Sequence, residues 1–288
     1  MGSVRNHVKC AVAVVATVMT LLSGPVAAAV DRCLAVSSVP DLRPERYAGP
    51  RMMPRFEPRQ PIISASNKLA PSEARISFIG HSTFLIESAD GVKIATDFND
   101  YIRPAVLPDI VTMNKAHSTH YTDNPSPLIK HVLRGWNPTG GPARHDIELK
   151  DVHVRNIATN TRWSDTGSYG AYGNSIFIFQ LAGLCIGHLG HLHHTLTPEQ
   201  MAAIGQLDVV LVPVDSGYTL DLPGMIEVLK GLRARLIIPM HYFNQFTLTR
   251  FLERVRGEWP VEMSDVSSIV VSQKALPTEP KILVLPGQ

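Results

Sequence analysis

The residues best equipped for chemistry in this 288-residue chain are its 12 histidines, and their spacing matters more than their number. They gather in three places: Lys115-Ala116-His117-Ser118-Thr119-His120, then His188-Leu189-Gly190-His191-Leu192-His193-His194, and Met240-His241-Tyr242. Neutral imidazole is a common ligand for zinc and neighbouring divalent metals, and a site needs three or four donors drawn from separate parts of the fold. Three clusters far apart in sequence meet that requirement. A zinc ion with an open coordination position lowers the pKa of a bound water to about 7, which is hydrolytic chemistry. The isolated His81, His131, His145 and His153 read as ordinary hydrogen-bonded or solvated residues. For His191 to His194 the simple alternative is a solvated polar loop.

The elements that must position these side chains are short β-branched runs. Each cluster follows a candidate strand: 110–114, 184–188 and 235–239. Further strands are expected at 75–80, 82–87, 92–96, 152–158, 175–179, 208–214, 268–272 and 281–285, with Ala89-Asp90-Gly91 as a hairpin turn. Helical patterns fall at 125–134, at 197–204 opened by Thr197-Pro198-Glu199-Gln200, at 222–233 and at 244–257. Hairpins first, then strands alternating with helices, predict a layered α/β sandwich over 75–288. In α/β folds ligands collect at strand ends, where the histidines lie.

Composition limits the rest. With 44% hydrophobic and 18% charged residues the chain can bury a core. Residues 1–29 read as a secretory signal peptide: Arg5 and Lys9 precede an apolar run from Cys10 to Leu22, and Ala27-Ala28-Ala29 offers a cleavage site. The run is too short for a transmembrane anchor, so a periplasmic or secreted protein without a membrane span is expected. Removing Arg5 and Lys9 from the 27 basic residues brings them level with the 25 acidic ones. No charge block remains to attract nucleic acid, which leaves a small-molecule substrate as the expected partner. Residues 30–74 form a proline-rich arm, with prolines at 40, 44, 50, 54, 58, 61 and 71. Cys33 and Cys185 could pair in an oxidising compartment, but the apolar run around Cys185 favours a buried strand thiol.

Over most of 75–245 the sequence resembles the metallo-β-lactamase-fold hydrolases, in the branch of ascorbate-lactonase-like and N-acyl-phosphatidylethanolamine phospholipase D-like proteins. The resemblance is carried by Ile79-Gly80-His81-Ser82-Thr83-Phe84-Leu85-Ile86, by Ile94-Ala95-Thr96-Asp97-Phe98, and by Pro108-Asp109-Ile110-Val111-Thr112-Met113-Asn114. Leu184-Cys185-Ile186-Gly187-His188-Leu189-Gly190, the strand 207–214 and Ile237-Ile238-Pro239-Met240-His241-Tyr242 complete it. It implies a four-layer αββα sandwich.

The family's metal motif, His-x-His-x-Asp-His, aligns with Lys115 to His120, so Lys115 replaces the first His and Thr119 the Asp. Asn160 or Arg162 stands where a further His ligand belongs, His191 stands for the bridging Asp, and His241 is kept. The resemblance therefore implies one zinc ion held by His120, His191 and His241 with His117 beside them, instead of the usual two-metal site. Lys115, Thr119 and Asn160 are then candidates to stabilise an oxyanion or grip an anionic substrate, with Tyr242 a further donor. The expected reaction is metal-assisted hydrolysis of an ester, lactone, amide or phosphodiester. The alternatives are a metal- or ligand-binding protein that has lost turnover, and redox chemistry at an all-histidine copper or iron site.

Overall fold

The structure, a computed structural model, describes Gly2, Cys33, Leu34 and residues 68–162 and 170–288. The expected signal peptide, apart from Gly2, and most of the expected proline-rich arm lie outside the described residues. The first strands in chain order are β1 (Ala74–Gly80), β2 (Thr83–Glu87), β3 (Lys93–Ala95), β4 (Ile110–Met113), β5 (His131–Arg134), β6 (Asp146–Leu149) and β7 (Val152–Thr161). They are followed by β8 (Gly170–Leu181), β9 (Leu184–His188), β10 (Val209–Pro213), β11 (Leu236–Met240), β12 (Val261–Met263), β13 (Ser268–Val271) and β14 (Lys281–Val284). Three helices are interleaved: α1 (Pro198–Ile204), α2 (Leu222–Leu232) and α3 (Gln245–Arg254).

Two mixed sheets result, ordered β13-β1-β2-β3-β4-β5 and β12-β14-β11-β10-β9-β8-β7-β6. Strands β1-β2-β3 and β7-β8-β9 pair antiparallel, whereas the crossovers through α1 and α2 make β9, β10 and β11 parallel. Side chains alternate across β8. Phe177 and Phe179 enter the core between the sheets with Ile76, Phe84 and Ile86, while Ile176 and Ile178 pack outward with Met225 and Leu229 of α2 and Phe251 of α3. On the outer face of the first sheet, Ala95, Val111 and Met113 are covered by Phe98, Ile129 and Trp136. Among the described residues no helix lies there.

The helix expected at 125–134 is instead a turn followed by β5. Leu128, Ile129, Val132 and Leu133 mimic a helical stripe, but Pro125 and Pro127 cannot supply its amide hydrogens. The parallel ladder to β4 takes the segment, with His131 opposite Ile110 and Arg134 opposite Met113. The other three helices form where capping residues place them, at Thr197 in a complete capping box, at Asp221 and at Asn244.

The expectation of a free buried Cys185 thiol is corrected: Cys185 is buried on β9 and bonded to Cys33. It faces the helix-covered side of the second sheet, where Gln206 N donates to Cys33 O at 2.9 Å. Gly205 makes that approach possible. Its φ is +75°, and a Cβ there would sit 2.0 Å from Cys33 O.

Candidate metal centre

One edge of the sandwich collects the chemistry because strands of both sheets end there. The residue after β1 is His81 and the residue after β11 is His241, with φ of 50° and 56°; Asp97, beyond β3, has φ of 43°. Positive φ is uncommon outside glycine, and three such residues in one site are a local strain that the surrounding bonds hold in place. His241 N donates to His81 O at 2.6 Å, joining the two sheets through the backbone.

Two buried imidazoles are fixed from behind by buried carboxylates. His120 Nδ1 donates to Asp97 Oδ2 at 2.8 Å, and His241 Nδ1 donates to Asp215 Oδ1 at 3.0 Å. Asp97 also accepts from Asn114 N, and Asp215 accepts from Gly217 N, Tyr218 N and the Thr219 hydroxyl. With both Nδ1 atoms protonated, both Nε2 atoms carry lone pairs, and these lie 3.3 Å apart. His81 completes the group: one ring nitrogen from each of His81, His120 and His241 lies within 4.8 Å of the others. His81 Nε2 is buried without a hydrogen-bond partner.

Electrostatics agree with that arrangement. Burial alone would raise the Asp97 carboxyl, but the attraction and hydrogen bond of His120, joined by Asn114 N, outweigh it and hold the group at about 2. Asp215 is likewise held below the usual carboxylate range, because the hydrogen bonds and charge of His241 and the bond from Thr219 outweigh burial. Burial, reinforced by His241 and His120, pushes His81 down to about 3, and burial lowers His120 as well. Two ionised, buried carboxylates therefore stand behind His120 and His241, whose Nε2 atoms converge with a ring nitrogen of His81. A divalent cation fits this donor set, since carboxylate-supported imidazoles are its usual protein ligands and two negative charges balance it.

The structure brings several residues expected from the sequence to one cavity of about 710 Å³: Lys115, His117, Thr119, His191 and His241, together with His81 and Arg162. Within it, His117 is exposed, its Nδ1 3.1 Å from the Thr119 hydroxyl, and it is not in the converging trio. His191 is buried beside that trio, its ring perpendicular to those of His120 and His241 with centroids 4.8 Å from each. Its Nδ1 lies 2.7 Å from His193 Nε2, and Arg162 Nε donates to His193 Nδ1 at 3.3 Å. Asn160 is not brought to the cavity. Its side chain points to the outside, where it accepts from Tyr172 N. Tyr242 is likewise committed elsewhere, donating its hydroxyl to Leu285 O.

Sequence reasoning passed over His81, Asp97 and Asp215. The signal for His81 was its place immediately after a strand, as for His241. His188 belongs to the scaffold: Nε2 donates to Ser82 O, and Nδ1 accepts from Asn114 and Gly190.

Comparison with known proteins agrees with the geometry. Residues 75–241 match the β-lactamase superfamily domain. A metal-dependent hydrolase of Carboxydothermus hydrogenoformans is 22% identical over 232 residues, covering 73% of this chain and 96% of its own. One from Thermoplasma acidophilum is 27% identical over 201 residues, covering 61% and 86%. A Thermotoga maritima crystal structure, assigned to the Zn-dependent hydrolases of the metallo-β-lactamase superfamily, is 30% identical with a TM-score of 0.55, covering 75% of this chain and all of that one. The chain belongs to the β-lactamase superfamily and, within it, to the metal-dependent hydrolases.

Proposed function

We propose that the protein hydrolyses a small molecule bearing an anionic group, using a single divalent ion, zinc, held by His81, His120 and His241. The observation that carries this reading is the pair of Nε2 atoms facing each other at 3.3 Å, each with its Nδ1 bonded to a buried carboxylate. When bound there, zinc supplies Lewis acidity and brings the pKa of a water to about 7. Lys115 and Arg162 line the cavity and, among the described residues, no carboxylate does, so these walls favour a substrate carboxylate or phosphate. Lys115 is placed to steady negative charge that develops on the substrate, with the Thr119 hydroxyl as a further donor. Phe243 and Tyr218, their ring centroids 5.6 Å apart, give the rim an apolar side against which the rest of the substrate packs. The scissile group is an ester, lactone, amide or phosphodiester.

Metal analysis of the untagged protein tests this reading. We expect about one zinc per chain, lost in His120→Ala and His241→Ala, with chelator-sensitive hydrolysis of chromogenic esters or phosphodiesters. A chain that takes up no zinc overturns it. A second reading, a metal-binding protein without turnover, draws on Lys115 and Arg162 standing where further histidine ligands would be; stoichiometric zinc with no hydrolysis in that panel selects it.

We infer in addition that the protein is exported to the periplasm or beyond. The signal-like composition of 1–29 supports this, as does the Cys33–Cys185 bond, since structural disulfides persist in oxidising compartments. Fractionation of cells expressing the full chain tests it, and retention in the cytoplasm with an intact N-terminus counts against it.

A further inference from the structure

His191 and His193 cannot choose their tautomers. The Arg162 guanidinium is a donor only, and its Nε donates to His193 Nδ1 at 3.3 Å. His193 Nδ1 therefore carries no hydrogen, and the ring's single N–H is at Nε2. That nitrogen, 2.7 Å from His191 Nδ1, is the donor of their mutual bond. His191 Nδ1 accepts, which leaves the hydrogen of His191 on Nε2. Nothing among the described residues accepts from it. The backbone holds the ring as firmly as the side chains do: His191 N donates to Asn174 Oδ1 at 2.8 Å.

We propose that His191 is a neutral N–H donor presented to the substrate cavity, with its tautomer fixed by Arg162 through His193, and that it is not a metal ligand. A ligand nitrogen must offer a lone pair. For His191 Nε2 to do so, its hydrogen would move to Nδ1 and that of His193 to Nδ1, leaving two N–H groups opposed across the 3.3 Å contact with Arg162. His191 lines the cavity next to the rings of His120 and His241. Its Nε2–H is thus available to an anionic substrate oxygen or to one that gains charge during hydrolysis, a role for which a preorganised neutral donor serves well. The proposal rests on the reading that His81, His120 and His241 hold the metal, and it assigns the fourth buried imidazole a different task.

The test has two readouts. In the untagged full chain carrying 15N-labelled histidine, two-bond proton–nitrogen correlation spectra report which ring nitrogen bears hydrogen. We expect Nε2–H for both His191 and His193, unchanged for His191 after one equivalent of zinc, and mixed tautomers for the pair in Arg162→Met. In zinc titrations, His191→Gln and His191→Ala should bind within about threefold of the wild-type chain, whereas His241→Ala should bind about 100-fold more weakly or worse. An Nδ1–H form of His191, or a loss of zinc in both His191 variants as large as that in His241→Ala, overturns the proposal. A wild-type chain that binds no zinc defeats the metal reading alone, and the spectra of the metal-free protein then decide the tautomer.

Discussion

At the scale of single residues the site works by pairing each buried imidazole with a group that fixes its hydrogen. Asp97 does this for His120, Asp215 for His241, and the Arg162–His193 pair for His191. Replacing Asp97 by Asn removes the charge behind His120, so zinc affinity should fall about 10- to 100-fold, as competition with a chromophoric chelator would measure. The pH dependence follows from His81. Its folded pKa of about 3 lies below the unfolded value of 6.5, so the unfolded chain takes up a proton that the folded chain refuses. In the metal-free protein the contribution is complete above about pH 6.5 and is lost as pH falls toward about 3. Urea midpoints taken at pH 8 and pH 5.5 should drop with acid, and His81→Gln should reduce the drop. His81 escaped the sequence reading because it stands alone, whereas neighbours drew attention to His117, His120 and His191. Asp97 and Asp215 were hidden for another reason: a carboxylate beside a strand end acquires its role only when the partner loop arrives from more than twenty residues away.

At the scale of elements, the strands that deliver the site were legible because they are largely apolar runs buried on both faces, as in the 174–179 stretch of β8 and in β10 and β11. The short strands β6 and β12 were not, since Asp-Ile-Glu-Leu and Val-Glu-Met are half charged or exposed and pair only because a longer neighbour templates them. The segment 125–134 misled for the opposite reason, its helical stripe being overruled by a ladder to β4. Past the end of β9 the chain turns at Gly190, with φ of +59°, and a Cβ there would meet Asn114 Nδ2 at 2.4 Å and Asn174 Oδ1 at 2.6 Å. Both side chains are buried and hydrogen-bonded, so they cannot retreat. Gly190→Ala should therefore cost about 1–3 kcal/mol in chemical denaturation and shift the His191 resonances even where the fold survives.

At the scale of the whole molecule, the Cys33–Cys185 bond spans 152 residues of sequence and ties Cys33 to the central part of the second sheet. Cross-links of that span commonly stabilise by about 2–4 kcal/mol, so reduction or Cys33→Ser should lower the urea midpoint accordingly. That bond was only half visible beforehand, because the apolar run around Cys185 reads equally well as a strand that buries a free thiol. The sandwich itself was legible from the alternation of strand and helix, down to the edge where the histidines gather.

The backbone bond from His241 N to His81 O has a further consequence for motion. It is a latch between the two sheets at two of the residues proposed to hold the metal, so a metal bound there would tie that edge a second time. Each tenfold excess of zinc over its dissociation constant would add about 1.4 kcal/mol to the stability of the folded form. Chelation should then release this edge before the rest of the barrier between the sheets gives way, and amide exchange should quicken first at His81 and His241 while β8 and β10 stay protected. A metal held there would be as much a fastener of the sandwich as a reagent within it.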